Sequence, residues 1–284
     1  MRYLLCLLLI IALAGCHEAT PTNNNKQAAG DEAFYSQAVG DSFRLRVQLP
    51  ESYNSKEHYP VLYLTDANMY YSMMAATLRQ YEELGAPPMI LVGIGYKDFE
   101  AMDSLRNRDY TWPLADAKDS FAVSGGGERF LRFINSELCP YIERQYSTDT
   151  GKRLLLGHSL GGYFTMYALQ QALLKKAPCF YAYIAASPSL HYHHYSLLDG
   201  LESSGTTKAN TQLYVTYGGL EDEEDEEDAD EPGLRKNTEV LAQLKRSLDG
   251  RIGYQQDMYS AFGHMDMAIP TFTKGLQKVF TEEE

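Results

Sequence analysis

Residues 153–162 read Arg153-Leu154-Leu155-Leu156-Gly157-His158-Ser159-Leu160-Gly161-Gly162. Arg153 to Leu156 is a short apolar run of the kind a strand buried on both faces presents. The G-x-S-x-G pentamer Gly157 to Gly161 follows at once, and a helical pattern continues from Gly161 to about Lys175. The pentamer alone is weak evidence; a strand before it and a helix after it make it strong. The glycines let the strand turn sharply into the helix, leaving Ser159 strained with its hydroxyl exposed. The helix N-terminus and the Leu160 amide then face an oxygen on which negative charge develops during attack on a carbonyl. Ser159 is the expected nucleophile. His158 sits beside it, but a neighbour on such an elbow points away from the hydroxyl, so a structural role is expected for it.

Outward from the elbow, strands and helices alternate. Phe43, Leu45, Val47 and Leu49 alternate with polar residues, a half-buried strand. Tyr59 to Leu64 and Met89 to Ile94 are continuous apolar runs, with a helical stretch around Met73 to Leu84 between them. Phe130, Phe133, Ile134, Leu138 and Tyr141 recur at helical spacing. After the elbow come strands at Tyr181 to Ala186 and Gln212 to Tyr217, then a helix carrying Leu241, Leu244 and Leu248. A last strand near Tyr254 to Ser260 and a final helix with Phe272, Leu276, Val279 and Phe280 complete the pattern. The order predicts one α/β domain, a mostly parallel doubly wound sheet with helices on both faces. Residues 97–127 form a long excursion expected to cover part of the site.

A nucleophilic serine needs a base, and the base an orienting carboxylate. His264 lies in the loop between the last strand and the last helix, where the base belongs when chain order is nucleophile, acid, base. The Gln212–Tyr217 strand runs into Gly218-Gly219-Leu220-Glu221-Asp222, where the acid belongs. Glu221 and Asp222 compete for that role, with Glu221 favoured. His191, His193 and His194 form an H-x-H-H cluster that lacks a matching carboxylate or cysteine spacing for zinc, so a wet aromatic rim with Tyr192 and Tyr195 is expected there and no metal.

The N-terminus is not part of the domain. Met1-Arg2 precedes an apolar run, Tyr3 to Gly15, of about 13 residues, too short to span a bilayer, which needs roughly twenty. It fits a signal peptide over residues 1–15. Leu13-Ala14-Gly15-Cys16 matches a bacterial lipobox, which makes Cys16 the expected lipidation site and the membrane a partner through that anchor. Residues 16–32 are polar, an expected flexible tether with a reach of roughly 20–25 Å. Residues 33–284 form the expected catalytic domain. The location expected is the bacterial cell envelope, exported and lipid-anchored. Of the cysteines only Cys139 and Cys179 then remain in the domain, either paired or as two thiols.

Composition fits such a domain. Hydrophobic residues make up 44% and aromatic residues 12%, unlike a disordered chain. The formal charge of −13 excludes nucleic acid as a natural partner. Much of it lies in one run, Glu221 to Glu231, which reads as a solvated loop; it lacks the spaced acids and internal glycine of a calcium-binding loop.

Several of these motifs carry a family resemblance. Tyr59 to Leu64 (YPVLYL), Arg108-Asp109-Tyr110-Thr111, Gly157 to Gly162 (GHSLGG), Ser187-Pro188-Ser189, Gly218 to Glu221 and Gly263-His264 resemble the esterase D/enterochelin-esterase-like family of α/β-hydrolases. The similarity runs from Leu49 to the final helix. It implies an α/β-hydrolase fold without a large cap domain, Ser159 and His264 as nucleophile and base, and Glu221 rather than Asp222 as acid. It also implies a second oxyanion amide at Asn68 or Ala67, beside that of Leu160. Tyr70, Arg108, Tyr110, His191 and Tyr192 become the candidate substrate-binding residues. Two departures stand out: Asp66-Ala67 replaces the usual Asp-Gly, and His191 to His194 replace the tryptophan that usually follows Ser-Pro-Ser.

The implied activity is hydrolysis of carboxylic esters through an acyl-enzyme, with no cofactor. Siderophore trilactones, acylated sugars and phenolic esters are the candidate small-molecule substrates, and the acidic run disfavours anionic ferric siderophores. The rival expectations are an acyltransferase on the same three residues and a non-catalytic surface lipoprotein that binds a ligand.

Overall fold

The computed structural model describes residues 29–116, 123–175, 179–205, 208–224 and 233–280. The expected signal peptide, Cys16, most of the tether and most of the acidic run lie outside the described residues.

Eight strands form one sheet in the order β1-β2-β4-β3-β5-β6-β7-β8. They are β1 (Ala29–Ser36), β2 (Asp41–Gln48), β3 (Tyr59–Leu64), β4 (Ile90–Gly95), β5 (Thr148–His158), β6 (Ala182–Ala186), β7 (Gln212–Gly218) and β8 (Gly253–Tyr259). β1 and β2 run antiparallel at one edge, and all pairings from β4 to β8 are parallel. β4 and β6 are buried throughout, as their unbroken apolar runs predict.

The helices are α1 (Ala67–Glu83), α2 (Phe99–Tyr110), α3 (Gly127–Phe133), α4 (Cys139–Gln145), α5 (Leu160–Lys175), α6 (Ser196–Ser203), α7 (Glu221–Glu224), α8 (Asn237–Leu248) and α9 (Ala268–Phe280). A π-turn over Ile134–Leu138 joins α3 to α4. One core lies beneath α1 and α9, where Leu78, Phe272 and Leu276 join Leu62, Leu154 and Ile184 of the sheet. The other face carries α2 to α6 and α8, with Phe130, Phe164 and Leu244 against Tyr63, Leu155 and Val215. This is the α/β-hydrolase architecture, with no large cap domain among the described residues.

Three local expectations are corrected. β1 begins at Ala29, inside the expected tether, because its pairing with β2 supplies what its own sequence does not advertise. The 97–127 excursion is not a bare loop: it carries α2, capped by Asp98, whose side chain accepts from the Ala101 amide at 2.8 Å. Only Met102, Asp109 and Tyr110 of α2 are buried, too few apolar residues to show a stripe. α1 begins at Ala67, six residues before the expected Met73, and buries Ala67, Tyr70, Met74, Ala75 and Leu78 at helical spacing.

Candidate active site

The chain leaves β5 and enters α5 through Ser159, whose φ of 57° lies in the left-handed region that non-glycine residues avoid. The turn fits only because Gly157 lacks a side chain: a Cβ there would meet the Gly161 carbonyl oxygen at 2.1 Å. A Cβ on Gly161 would in turn meet Thr65 Oγ1 at 2.5 Å. The elbow therefore abuts the turn between β3 and α1. Leu160 opens α5 while Ala67 and Asn68 open α1, so the three expected oxyanion amides stand at neighbouring helix N-termini. The Asn68 side chain points elsewhere: Nδ2 donates to the Tyr96 carbonyl at 3.0 Å, and Oδ1 accepts from the Tyr96 amide at 2.7 Å.

His264 follows β8 in a single 3-10 turn, His264–Asp266. Its Nδ1–H donates to Glu221 Oε2 at 2.9 Å. Glu221 is only 4% exposed, and its other oxygen accepts from Ser187 Oγ at 2.6 Å and from the Gly218 amide. Asp222 is turned away, accepting from the Asn237 amide at 2.9 Å. Of the two competing carboxylates, the structure brings Glu221 to the imidazole. Ser159 Oγ lies 3.3 Å from Ser189 Oγ, and Ser159, Ser189, Glu221 and His264 all line one pocket of about 240 Å³.

His158 supports this arrangement from behind. Its Nε2–H donates to the His264 carbonyl at 2.9 Å, because a carbonyl can only accept. That leaves Nδ1 to accept from the Tyr70 hydroxyl at 2.9 Å. Burial, with the nearby His264, pushes His158 down to about 4, so it is neutral at ordinary pH. A larger apolar groove of about 430 Å³ between α1 and α9, lined by Leu78, Tyr81, Met89 and Phe280, contains no serine, cysteine or histidine. It lacks the chemistry of the smaller pocket.

The substrate-binding expectations are revised. His191 lines the pocket, together with Tyr195 and Arg235. Tyr192 does not: it is buried, its hydroxyl donates to the Pro113 carbonyl at 2.8 Å, and its ring packs edge-on against Tyr163. Tyr110 is a core residue whose hydroxyl accepts from the Asp66 amide at 3.2 Å. Tyr70 is buried on His158. Arg108 is spent on Asp109, at 2.8 and 3.0 Å, and on Asp41 at 2.8 Å, tying α2 to β2. His193 and His194 lie 3.9 and 3.3 Å from Asp116. Among the described residues, no group of three or more His, Cys, Asp or Glu is placed to hold a metal.

Sequence reasoning missed three contributors. Arg106 grips the buried Asp66 with Nε at 3.0 Å and Nη2 at 2.7 Å, fixing the turn beside the elbow. A buried aspartate demands such a partner, but nothing in the sequence says which arginine supplies it. Ser187 and Ser189 stand out as a motif, yet their contacts with Glu221 and Ser159 are visible only in three dimensions.

Known proteins similar to this chain are esterases and α/β-hydrolase folds. The ferri-bacillibactin esterase BesA of Bacillus subtilis is 35% identical over 195 residues, covering 63% of this chain and 66% of that protein. The chain thus spans just under two thirds of that relative's length. The crystal structure of an IroE-like serine hydrolase from Shewanella oneidensis superposes with a TM-score of 0.69 at 28% identity, covering 90% of this chain and 80% of that one. The BES protein from Bacillus cereus shares the fold, with a TM-score of 0.73 at 23% identity over 98% of this chain and 99% of its own. Residues 36–192 match the family described as "Putative esterase". With more than half its length in that match, the chain belongs to this esterase family, as the enterochelin-esterase-like motifs of its sequence imply.

Proposed function

We propose that the protein hydrolyses siderophore esters, through an acyl-enzyme on Ser159. The observation that carries the reading is the His264–Glu221 contact of 2.9 Å in the same pocket as a serine on a strained elbow. An imidazole engaged through Nδ1 acts on the nucleophile through Nε2. His264 takes the Ser159 proton as Oγ attacks the ester carbonyl, and Glu221 stabilises the resulting imidazolium and fixes its tautomer. The Leu160 amide and that of Ala67 or Asn68 hold the oxyanion. Loss of one oxyanion donor of this kind costs about 100- to 1000-fold in kcat. Collapse expels the alcohol, which takes the proton from His264, and water repeats the sequence on the acyl-enzyme.

The substrate class rests on the named activity of the Bacillus subtilis relative, a ferri-bacillibactin esterase. The pocket suits a polar ester, lined as it is by Ser189, His191, Tyr195, Asn237 and Arg235. The acidic run is a weaker counter-argument, since salt screens it over about 10 Å. The Leu13-Ala14-Gly15-Cys16 stretch supports a lipid anchor at Cys16 that holds the domain at the cell envelope. The test is a panel of nitrophenyl esters of varied chain length run beside a cyclic trilactone siderophore, with and without iron. Preference for the trilactone supports the reading; turnover of simple esters alone removes the substrate assignment and leaves the esterase.

A further inference from the structure

Among the described residues that line the pocket of Ser159, Arg235 is the only arginine or lysine. Its guanidinium carbon sits 4.7 Å from the centre of the Tyr195 ring. The Tyr195 hydroxyl in turn accepts from the Arg235 amide at 2.8 Å. Nη1 of Arg235 donates to Gln243 Oε1 at 2.8 Å. That side-chain amide is itself oriented, its Nε2 donating to Glu202 Oε2 at 2.8 Å and to Asp199 Oδ1 at 3.3 Å. Asp199 Oδ1 stands 3.8 Å from Nη2 of Arg235, beyond hydrogen-bond distance. The backbone that delivers Tyr195 is strained: His193, His194 and Tyr195 have φ of 48°, 54° and 61°, three consecutive non-glycine residues in the left-handed region. The run ends at the residue whose ring carries the guanidinium.

We propose that Arg235 is a specificity-determining residue that binds a carboxylate on the alcohol side of the scissile ester, the group created when a cyclic polyester is opened. Hydrolysis of a trilactone breaks one acyl C–O bond, adds water, and leaves a hydroxyl at one end and a carboxylate at the other. The linear product is again an ester, now with a negative charge beside its terminal ester bond. That substrate rests on the siderophore-ester reading above; the charge preference needs only an ester.

A guanidinium carries five N–H donors in a planar fork that meets both oxygens of a carboxylate. Gln243 takes one of them, and with 35% of its side chain exposed Arg235 is open to a second acceptor from the pocket. The pocket also holds the Glu221 carboxylate, and the chain carries a formal charge of −13, so an anion enters against the prevailing field. A fixed cation inside the pocket offsets that field for a carboxylate and does nothing for a neutral ester of the same shape. The contact is made in ground state and transition state alike, so it acts on KM more than on kcat. The opened ring is then a better substrate than a neutral analogue, and hydrolysis runs on from the linear product to its monomers.

The butyryl esters of β-hydroxypropionate and of β-hydroxypropionamide share one scissile bond and differ in charge. The wild type should hydrolyse the acid about tenfold better in kcat/KM, with the difference in KM, and added salt should shrink the preference. Arg235→Gln should bring the ratio to about one, and Arg235→Lys, a point charge without the fork, should keep part of it. With a trilactone, the linear product should stay scarce in the wild type and accumulate in Arg235→Gln. Equal rates of the wild type on the two esters overturn the proposal, and that result stands even if a variant fails to fold. A preference that survives in Arg235→Gln overturns it too, and would move the contact to His191. A trilactone left unopened counts against the siderophore reading alone, since the ester pair still decides for or against Arg235.

Discussion

Ser187 Oγ donates to Glu221 Oε1 at 2.6 Å, and Ser189, two residues on, places its Oγ 3.3 Å from Ser159 Oγ. One turn thus touches both Glu221 and Ser159. The turn is held hard. Ser187 has φ 40°, its amide donates to the Thr216 carbonyl at 2.8 Å, and the Pro188 carbonyl accepts from the Tyr217 hydroxyl at 2.7 Å. A non-glycine residue persists in that conformation only where its surroundings over-determine it.

Ser187→Ala removes one of the two donors on that carboxylate oxygen and leaves the backbone as it is. A hydrogen bond to a charged group contributes about 1.5–3 kcal/mol, so kcat should fall about 10- to 100-fold with KM little changed. Steady-state kinetics on a nitrophenyl ester check this. A KM effect with kcat intact would make the turn a wall of the pocket rather than a support of Glu221.

Glu221→Gln keeps the shape of the acid and removes its charge. The comparable change in a model Ser-His-Asp site costs about 10⁴ in kcat, and several hundred-fold or more is expected here. Asp222→Asn should cost tenfold at most, because Asp222 caps the Asn237 amide and does not reach the imidazole. A reversed pair of results would make Asp222 the acid, and two active variants would leave a Ser–His dyad.

The positions of Ser159 and Glu221 were legible because the apolar runs of β5 and β7 announce the turns that follow them, whereas β8 (GYQQDMY) is mostly polar and His264 was legible only from its place before the last helix. What stayed hidden depends on pairing across the sheet. Ser187 and Ser189 reach partners supplied by α7 and by the elbow, and the Asp66–Arg106 pair joins α1 to α2 over 40 positions of chain. Tyr110 and Arg108 belong to the Arg108-Asp109-Tyr110-Thr111 stretch on which the sequence resemblance rests, yet the structure spends both on holding α2 in place.

His158 gives a prediction in pH. Its imidazole falls from 6.5 to about 4 on folding, so the unfolded chain binds the extra proton first as pH drops. Stability from this group is complete above pH 6.5 and is lost as pH falls through 6.5 towards 4, by about 3 kcal/mol in all. Urea midpoints measured from pH 7.5 to 4 should decline over that window, and His158→Gln should flatten that part of the decline. An unchanged profile in the variant would place the loss on other groups.

Cys16→Ser should move the protein from the membrane fraction to the soluble fraction with ester hydrolysis intact, as read by fractionation and assay. Wild-type protein already soluble after export would contradict the anchor.

The central claim, an acyl-enzyme on Ser159, is tested most directly by rapid quench of the enzyme with a slowly deacylating nitrophenyl ester, followed by peptide mapping. The acyl mass should appear on the peptide containing Ser159, and should be absent in Ser159→Ala, which loses all but a residual turnover. Unimpaired turnover with the acyl group on another residue, or with none trapped in either protein, would contradict it.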